Sequence, residues 1–239
     1  AFEFHKDKPR YFQYQYLTAR DYIIPFLDSF FDWGPDIHVL EIGCGEAGVL
    51  KAFLEKGCKA TGIELFEHRV ERAKEFLKED VDAGKLDFIT RNIYDIDVEK
   101  DLGHGYDLIV LKDVIEHIPE QERFIPKLKE FLNPGGKVFF GFPPWYMPFG
   151  GHQQNLEGKL LSKTPYFHLL PTPAYKAVLK GFGETQKKID HMVEIKETGI
   201  SVDRFESIVK KNGYKIESRK FWLFNPIYKY KFGLQPTGQ

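Results

Sequence analysis

The segment HVLEIGCGEAGVL, residues 38–50, constrains the fold more than any other part of the chain. A short apolar and β-branched run leads into Gly43, Gly45 and Gly48, which have the spacing G-x-G-x-x-G, and a helical pattern follows. Glycine leaves room for a ligand to approach the backbone closely. In a strand–turn–helix unit the ligand lies at the carboxyl end of the strand, beside the first turn of the helix. The segment therefore predicts a ligand-binding βα unit.

Strand and helix patterns alternate on both sides of this segment. The predicted strands are IHVLEIG, KATGIEL, LDFITRN, YDLIVLKD and KVFFGFP. The predicted helices are residues 10–31 (broken near Pro25), AGVLKAFLEKG, EHRVERAKEFLKEDVDAG and EQERFIPKLKEFLNPGG. Such alternation is typical of an α/β fold with a Rossmann-like, doubly wound sheet. Near the end of the chain, VDRFESIVKKNG predicts a helix, and YKIESRKFWLF and PIYKYKFG predict two strands that close the sheet.

The pattern also suggests how the chain is divided. We expect an N-terminal helical cap or lid over residues 1–36 and a main domain over residues 37–239. Residues 143–200 are rich in Pro, Gly and aromatic residues and predict a helix only near Ala174–Lys180. A long irregular segment in a compact domain is usually a binding segment. We therefore interpret residues 143–200 as a substrate-lid insertion after the fifth strand.

Two carboxylates narrow the identity of the ligand. Glu64 ends the second predicted strand, about 20 positions after the glycine turn, where a carboxylate accepts hydrogen bonds from both hydroxyls of a ribose. Glu41 lies in the strand beside the turn, where a carboxylate repels a pyrophosphate and suits a cation. The predicted ligand is an adenosine-type nucleoside rather than a dinucleotide. The structural alternatives are a buried carboxylate that accepts backbone N–H bonds for Glu41 and a surface charge for Glu64.

Several motifs together carry a resemblance to a known family. VLEIGCGEAG, GIEL, RNIYD, YDLIVLKDVIEHI and LNPGGKVFF occur in this order over residues 39–140. They resemble the class I S-adenosylmethionine-dependent methyltransferases, and among these the domains that act on small molecules. The resemblance implies S-adenosyl-L-methionine as cofactor, lying over the strand ends of a seven-stranded sheet whose last strand is antiparallel. The chain carries no G-x-S-x-G motif, in keeping with a reaction that needs no covalent enzyme intermediate.

The resemblance also implies which residues contact the cofactor. The turn around Gly43 matches the part of the family that holds the methionine portion, and Glu64 matches the ribose carboxylate. Asn92 stands beside the adenine, where an acidic residue is more usual in the family. Asp113 follows the fourth strand and is equally suited to cap the turn VIEHI. The expected cofactor-binding residues are Glu41, Gly43, Cys44, Gly45, Glu64, Leu65, Asn92, Ile93, Lys112 and Asp113.

The segment FPPWYMPFGGHQQN, residues 142–155, is the expected acceptor site. It follows the fifth strand and is therefore expected to face the methyl group of the cofactor. His152 is the first candidate for a base that takes the proton of an acceptor hydroxyl, and His117 is the second. The expected substrate contacts are Tyr11, Tyr14, Trp145, Tyr146, Phe149 and Gln153. The structural alternative is a loop whose aromatic residues pack on the sheet and whose histidines only support the fold.

Composition limits the remaining function classes. The net charge of −1 gives no bulk attraction to nucleic acid. The two cysteines, Cys44 and Cys58, form no C-x-x-C pair, so we expect reduced thiols and no metal site. The sequence lacks an apolar run of the roughly 20 residues that a membrane helix needs. We expect a cytoplasmic monomer or homodimer with a small-molecule acceptor and without a membrane or nucleic-acid partner.

Three functions remain open at this point. The first is methyl transfer to a small molecule, at a hydroxyl oxygen rather than at nitrogen or carbon. The second is methylation of RNA or protein, which an excess of Lys and Arg in residues 176–239 and the many aromatic residues allow. The third is a protein that has kept the cofactor site, lost turnover and serves as an interaction partner.

Overall fold

The computed structural model describes residues 7–238, so residues 1–6 of the predicted cap lie outside the described residues. The described chain divides into two compact units. The sheet unit comprises residues 7–112, 127–140 and 218–238. The helical unit comprises residues 113–126 and 141–217. Each unit has its own apolar core.

The sheet unit contains five strands in the order β3-β2-β1-β4-β5. They are β1 (His38–Ile42), β2 (Lys59–Ile63), β3 (Leu86–Ile89), β4 (Tyr106–Lys112) and β5 (Leu132–Gly141). β1 pairs in parallel with β2 and β4, and β2 pairs in parallel with β3. β1 is hydrogen-bonded to a strand on each side. Its successive residues Val39 and Leu40 point to opposite faces of the sheet and are both fully buried, which explains the unbroken apolar run. This confirms the predicted Rossmann-like α/β sheet for the five strands before residue 142.

Helices connect these strands. The sheet unit contains α1 (Lys8–Thr18), α2 (Ile24–Leu27), α3 (Gly48–Glu55), α4 (Glu67–Phe76), α5 (Lys78–Asp82) and α10 (Tyr228–Phe232). A π-helical turn, Ala19–Ile23, joins α1 to α2 just before Pro25, where the sequence predicted a break. The N-terminal helical segment is therefore confirmed for the described residues. Its first turn is capped by Asp7, whose side chain accepts a hydrogen bond from the backbone N–H of Arg10.

The helical unit is built from α-helices and 3-10 turns. Its helices are α6 (Gln121–Lys127), α7 (Thr172–Gly181), α8 (Gln186–Thr198) and α9 (Val202–Lys211), with the end of α6 reaching into the sheet unit. α7 and α9 confirm two predicted helices. α8 corrects the prediction that the insertion is otherwise irregular: Ile189, Met192 and Val193 lie on one buried face with helical spacing.

The seven-stranded sheet with an antiparallel last strand is wrong for the described residues, which form five strands. Residues 214–221 belong to no helix or strand, and Trp222 makes one isolated antiparallel bridge to Gly238. The second predicted strand, PIYKYKFG, contains α10 instead. The aromatic residues of this short stretch alternate as in a strand, but the spacing also fits one helical turn. Tyr228 and Phe232 are four positions apart, so a helix brings them to the same face, where their ring centroids are 5.3 Å apart in an edge-to-face arrangement.

Within the part of the chain that the structure describes, every helix is too short or too polar to traverse a lipid bilayer.

The third glycine of the motif has a packing role. A β-carbon at Gly48 would stand 2.5 Å from the carbonyl oxygen of Phe12 and 2.9 Å from the β-carbon of Gln15. α1 therefore packs directly on the first turn of α3. Both close atoms belong to or adjoin the helix backbone, which cannot move aside without shifting α1.

We predict that Gly48→Ala lowers the free energy of unfolding by about 1–3 kcal/mol because it overpacks this helix contact. Urea unfolding followed by circular dichroism measures it. Gly34→Ala is the matched control, since a β-carbon there meets nothing within 4 Å. Equal unfolding free energies for the two variants would contradict the proposed packing role.

Candidate active site

The glycine turn adopts a backbone that requires glycine. Gly43 and Gly45 have φ values of 70° and 56°, in the left-handed region that residues with a side chain rarely adopt. The backbone N–H groups of Gly43 and Cys44 both donate to the carbonyl oxygen of Ile63, at 2.8 and 3.2 Å. The turn that leaves β1 is thereby fixed to the end of β2, and Cys44 points into the core, where it is buried.

Glu41 is a buried carboxylate beside this turn. Glu41 is only 3% exposed, and its Oε2 has no hydrogen-bond partner among the described residues. Burial raises the pKa of Glu41 well above its ordinary value, and Glu64 adds to this, while the nearby charge of Lys112 opposes it. A buried polar atom without a partner is costly unless a ligand satisfies it. Glu41 therefore fits a site for a cationic or hydrogen-bond-donating ligand group.

Glu64 is buried too, which contradicts the surface-charge alternative. Its Oε2 accepts a hydrogen bond from the backbone N–H of Gly45 at 3.0 Å and lies 3.5 Å from Nη1 of Arg69. Its Oε1 accepts from the backbone N–H groups of Leu65 and Phe66 at 2.8 and 3.2 Å. The carboxylate therefore connects the glycine turn to the residues that follow β2. The contact with Arg69 was not predicted from the sequence.

The next residues present an apolar surface. Leu65 is 60% exposed and Phe66 53% exposed, although both are large and apolar. Phe66 lies beside the guanidinium of Arg69, which is 5.5 Å from the ring centroid. The exposed Leu65 is consistent with the expected contact to an adenine, and Phe66 is a candidate that the motif comparison missed. Its signal was the unexplained aromatic residue directly after GIEL.

The other predicted cofactor residues divide between the two units. Asn92 caps the 3-10 turn Ile93–Asp95, because its side chain accepts a hydrogen bond from the backbone N–H of Tyr94 at 3.1 Å. The Ile93 side chain itself is buried. Lys112 ends β4 in the sheet unit, and Asp113 begins the helical unit with a left-handed φ of 56°. The structure thus brings Glu41, the glycine turn, Glu64 and Lys112 together on adjacent strands.

Both predicted bases lie in the helical unit and face each other. The rings of His117 and His152 are 4.9 Å apart, nearly perpendicular at 79°. His117 belongs to the 3-10 turn Ile115–His117, which the buried side chain of Gln121 holds by donating to the carbonyl oxygen of Ile115 at 3.0 Å. His152 has a left-handed φ of 55° and directly precedes the 3-10 turn Gln153–Asn155. Two distant segments therefore meet at this histidine pair.

Burial shapes the protonation of this pair. Burial, with a smaller contribution from the neighbouring His117, lowers the pKa of His152 to about 4, while Asp113 acts in the opposite direction. Burial also lowers the pKa of His117, again opposed by Asp113. Both imidazoles are therefore held neutral at neutral pH. The structure adds Glu116, a 3% exposed carboxylate that sequence reasoning did not select, next to the same pair.

These three residues form a group capable of holding a metal ion, whereas the sequence predicted none. Single ligand atoms of Glu116, His117 and His152 all lie within 4.8 Å of one another. The signal available in the sequence was the adjacent pair Glu-His of VIEHI. Nothing in the spacing shows that a histidine 35 positions later returns to it.

The aromatic segment before His152 is held inside the helical unit. Trp145 donates its backbone N–H to Ile200 at 2.9 Å, and its ring meets that of His168 at 4.6 Å. His168 is fully buried: its Nε2 lies 2.8 Å from the carbonyl oxygen of Trp145 and its Nδ1 lies 2.7 Å from Nε2 of Gln153. Since an amide nitrogen only donates, Nδ1 accepts and Nε2–H donates. His168 therefore fixes this loop.

The predicted substrate contacts therefore differ in accessibility. Gln153 is fully buried and also donates to the carbonyl oxygen of Pro148 at 3.1 Å, so its amide nitrogen serves the loop. Tyr146 is 66% exposed, and Trp145 and Phe149 are half-buried. All four belong to the helical unit.

Tyr11 and Tyr14 lie on α1 of the sheet unit. The hydroxyl of Tyr11 accepts a hydrogen bond from the Gln15 side chain at 2.9 Å. Tyr14 is buried and accepts from Nε of Arg10 at 2.6 Å. A role of either residue in a lid stays a prediction.

Comparison with known proteins decides the family. A family model described as a methyltransferase domain matches residues 13–158, more than half of the chain. The chain belongs to this methyltransferase family. Membership confirms the family that the motifs between residues 39 and 140 predict.

The curated relatives are more distant. The ubiquinone biosynthesis O-methyltransferase of Coxiella burnetii (strain Dugway 5J108-111) is 29% identical over 103 residues, which are 43% of this chain and 42% of that protein. The protein of the same description from Rickettsia canadensis (strain McKiel) is 25% identical over 116 residues, 48% of this chain and 47% of that protein. The matched part of the chain thus spans less than half the length of these relatives.

Solved structures agree on the fold. Magnesium protoporphyrin IX methyltransferase from Synechocystis PCC 6803 with bound SAH superimposes with a TM-score of 0.58 at 18% identity, covering 90% of this chain and 80% of that one. A putative sarcosine dimethylglycine methyltransferase from Galdieria sulphuraria gives a TM-score of 0.57 at 15% identity, covering 86% and 62%. The methyltransferase fold therefore extends over most of the chain.

The buried His168 predicts a pH effect on stability. Burial lowers the pKa of His168 in the folded protein, and protonation of Nδ1 would break the bond from Gln153. The unfolded chain binds this proton below about pH 6.5 while the folded chain does not, so the stability contributed by the neutral ring is lost as the pH falls from there.

We predict that His168→Gln lowers the unfolding free energy at pH 7.5 and flattens its decline between pH 6.5 and 5. His191→Gln serves as the control, because that side chain on α8 is 54% exposed. Urea unfolding at several pH values measures both. A slope for His168→Gln as steep as that of the wild type would contradict the buried neutral ring.

Proposed function

We propose that the chain binds S-adenosyl-L-methionine at the glycine turn and transfers its methyl group to a hydroxyl oxygen of a small molecule. The observation that carries the cofactor proposal is the pair of buried carboxylates at the strand ends. Glu41 keeps an oxygen without a partner beside the turn, and Glu64 adjoins it. When bound, the cofactor supplies a methyl group already activated by the positive charge on sulfur.

The residues of the sheet unit have distinct proposed roles. Glu41 accepts hydrogen bonds from the cationic methionine portion, for which its unsatisfied Oε2 is suited. Gly43 and Gly45 leave the backbone open for this approach. Three backbone N–H groups use three of the roughly four acceptor positions of the Glu64 carboxylate. The fourth, which the 3.5 Å contact with Arg69 occupies, is proposed to accept from a ribose hydroxyl when the cofactor binds. The side chain of Cys44 packs in the apolar core and is proposed to anchor the turn there.

The adenine portion is assigned to residues that follow β2 and β3. Leu65 contributes exposed apolar surface, and Phe66 extends that surface. Asn92 and Ile93 belong to the turn after β3, where the capped backbone places one polar and one apolar residue together. Lys112 and Asp113 are proposed beside the methionine portion.

The acceptor chemistry is proposed to be O-methylation. The curated relatives of this chain are described as O-methyltransferases, which supports an oxygen acceptor. An oxygen nucleophile must lose its proton, and His117 and His152 are the groups proposed to manage it. Because the rings are neutral at neutral pH, their nitrogen lone pairs are available. The half-buried Trp145 and Phe149 and the exposed Tyr146 are proposed to contact the acceptor, and Gln153 to hold their loop in place.

We also propose roles for two segments outside the cofactor site, and a location and oligomeric state for the protein. Residues 143–200 act as a substrate lid, and residues 1–36, with Tyr11 and Tyr14, as a cap. The protein works in the cytoplasm as a monomer or homodimer and has no nucleic-acid partner. The near-neutral total charge supports the last point.

We predict selective binding of S-adenosylmethionine and S-adenosylhomocysteine over NAD and ATP in isothermal titration. Glu64→Ala and Glu41→Gln each weaken binding at least tenfold, about 1.4 kcal/mol, because each removes a carboxyl group that accepts hydrogen bonds from the cofactor. Glu67→Ala is the matched control, an exposed carboxylate in the first turn of α4. Preference for NAD, or no nucleoside binding, would remove the basis of the cofactor proposal.

Acceptor profiling with methyl-labelled S-adenosylmethionine addresses the second half of the proposal. We expect label in hydroxyl-bearing small molecules. Label only in amines would exclude O-methylation, and salt-sensitive transfer to RNA would favour the nucleic-acid alternative. Cofactor binding without transfer to any acceptor class would favour a protein that has lost turnover.

A further inference from the structure

We propose that Glu116, His117 and His152 bind a divalent transition-metal ion, with Zn²⁺ as the best-matched ion. All three belong to the helical unit, and two of them come from one 3-10 turn while the third comes from a separate loop. Nothing in the composition or cysteine pattern pointed to a metal, so the site rests on the structure.

The ligand atoms lie at distances that one bound ion can bridge. One ligand atom from each of the three residues lies within 4.8 Å of the other two, and Nε2 of His117 is 3.9 Å from Oε1 of Glu116. Bonds of about 2.0–2.2 Å in a tetrahedral zinc site place ligand atoms roughly 3.3 Å apart. Rotation of the side chains by a small amount therefore closes the set around one ion.

His152 carries a buried ring nitrogen that a metal ion would satisfy. Its Nε2 is buried and has no hydrogen-bond partner within residues 7–238. An imidazole nitrogen that is shielded from water and unsatisfied is unfavourable by itself. A metal ion beside the His117 ring satisfies this atom. The segment that carries His152 is fixed in place by the buried Gln153–His168 contact, which preorganises the ligand.

The chemistry of the three ligands selects the kind of ion. Two imidazoles and one carboxylate suit zinc and neighbouring transition metals, whereas Mg²⁺ and Ca²⁺ prefer oxygen ligands. Glu116 is buried next to His117, so its negative charge offsets that of the ion in a region poor in water. Asp113 is close enough to influence both histidines electrostatically and adds further negative charge.

Three protein ligands leave at least one coordination position open, as in catalytic rather than structural zinc sites. The chemical role of the ion rests on the proposed function: an acceptor hydroxyl bound at the open position would pass its proton to water more readily. The resulting oxygen anion would take the methyl group, and S-adenosylhomocysteine would leave as the neutral thioether. In that case the histidines act as ligands and not as free bases. Metal binding itself does not depend on the proposed function.

The test is equilibrium binding of Zn²⁺ to tag-free, chelator-treated full chain, followed with a competing fluorescent chelator. We expect one equivalent of Zn²⁺ per chain, and at least tenfold weaker binding in His152→Ala and in Glu116→Gln. His104→Ala is the control, because His104 is an exposed histidine of the sheet unit. Mg²⁺ at the same concentration should not compete. Co²⁺ should give visible absorption bands that disappear in His152→Ala.

Circular dichroism and thermal unfolding of each variant show whether it is folded, and Glu116→Gln retains the size of the side chain. No stoichiometric Zn²⁺ binding in the wild type, or equal affinity in both folded cluster variants and His104→Ala, would overturn the metal site. Titration of S-adenosylmethionine into His152→Ala separates the two proposals. Normal cofactor binding with lost Zn²⁺ binding supports both, whereas Zn²⁺ binding in a wild type that ignores the cofactor overturns only the proposed function.

Discussion

The contact between the Glu64 carboxylate and the backbone N–H of Gly45 is the interaction on which the cofactor account depends. It exists because β1 and β2 run in parallel, so that their carboxyl ends lie at one edge of the sheet. The same register places Glu41 beside β4, whose last residue is Lys112. This backbone arrangement places two buried carboxyl groups, the Lys112 cation and the glycine turn close together in a region that is largely shielded from water. Electrostatic interactions are stronger there than at an exposed surface.

The helical unit has a separate logic. Its loops are held by buried polar side chains: Gln121 fixes the turn that carries His117, and His168 with Gln153 fixes the loop that carries His152. A buried polar group without a partner lowers the stability of the fold, whereas a fully hydrogen-bonded one restricts the motion of its loop. They keep two imidazoles and a carboxylate in place without the regular hydrogen bonding of a sheet. This is the kind of support that a binding or catalytic group needs.

Much of the sheet unit followed from the sequence, because its strands are apolar runs separated by amphipathic helices. The residues of the glycine turn could be named for the same reason. The C-terminal strands could not be settled, since Tyr228, Tyr230 and Phe232 alternate as in a strand yet also fit one helical turn. Helix α8 was not predicted, because it lies in a segment rich in Gly and Pro, which usually indicates irregular structure. Its apolar residues nevertheless have helical spacing. The meeting of Glu116 and His117 with His152 joins residues far apart in sequence, and no local pattern encodes it.

Hydrogen exchange with and without S-adenosylhomocysteine is the most direct test of the central claim, that the glycine turn and the end of β2 bind the cofactor. The account predicts slower exchange of backbone amides in residues 43–48, 64–66 and 92–94 when the ligand is present. Residues 78–84, which form α5 and the turn after it, should exchange at an unchanged rate. Protection confined to other parts of the chain, or no protection at saturating ligand, would contradict the account.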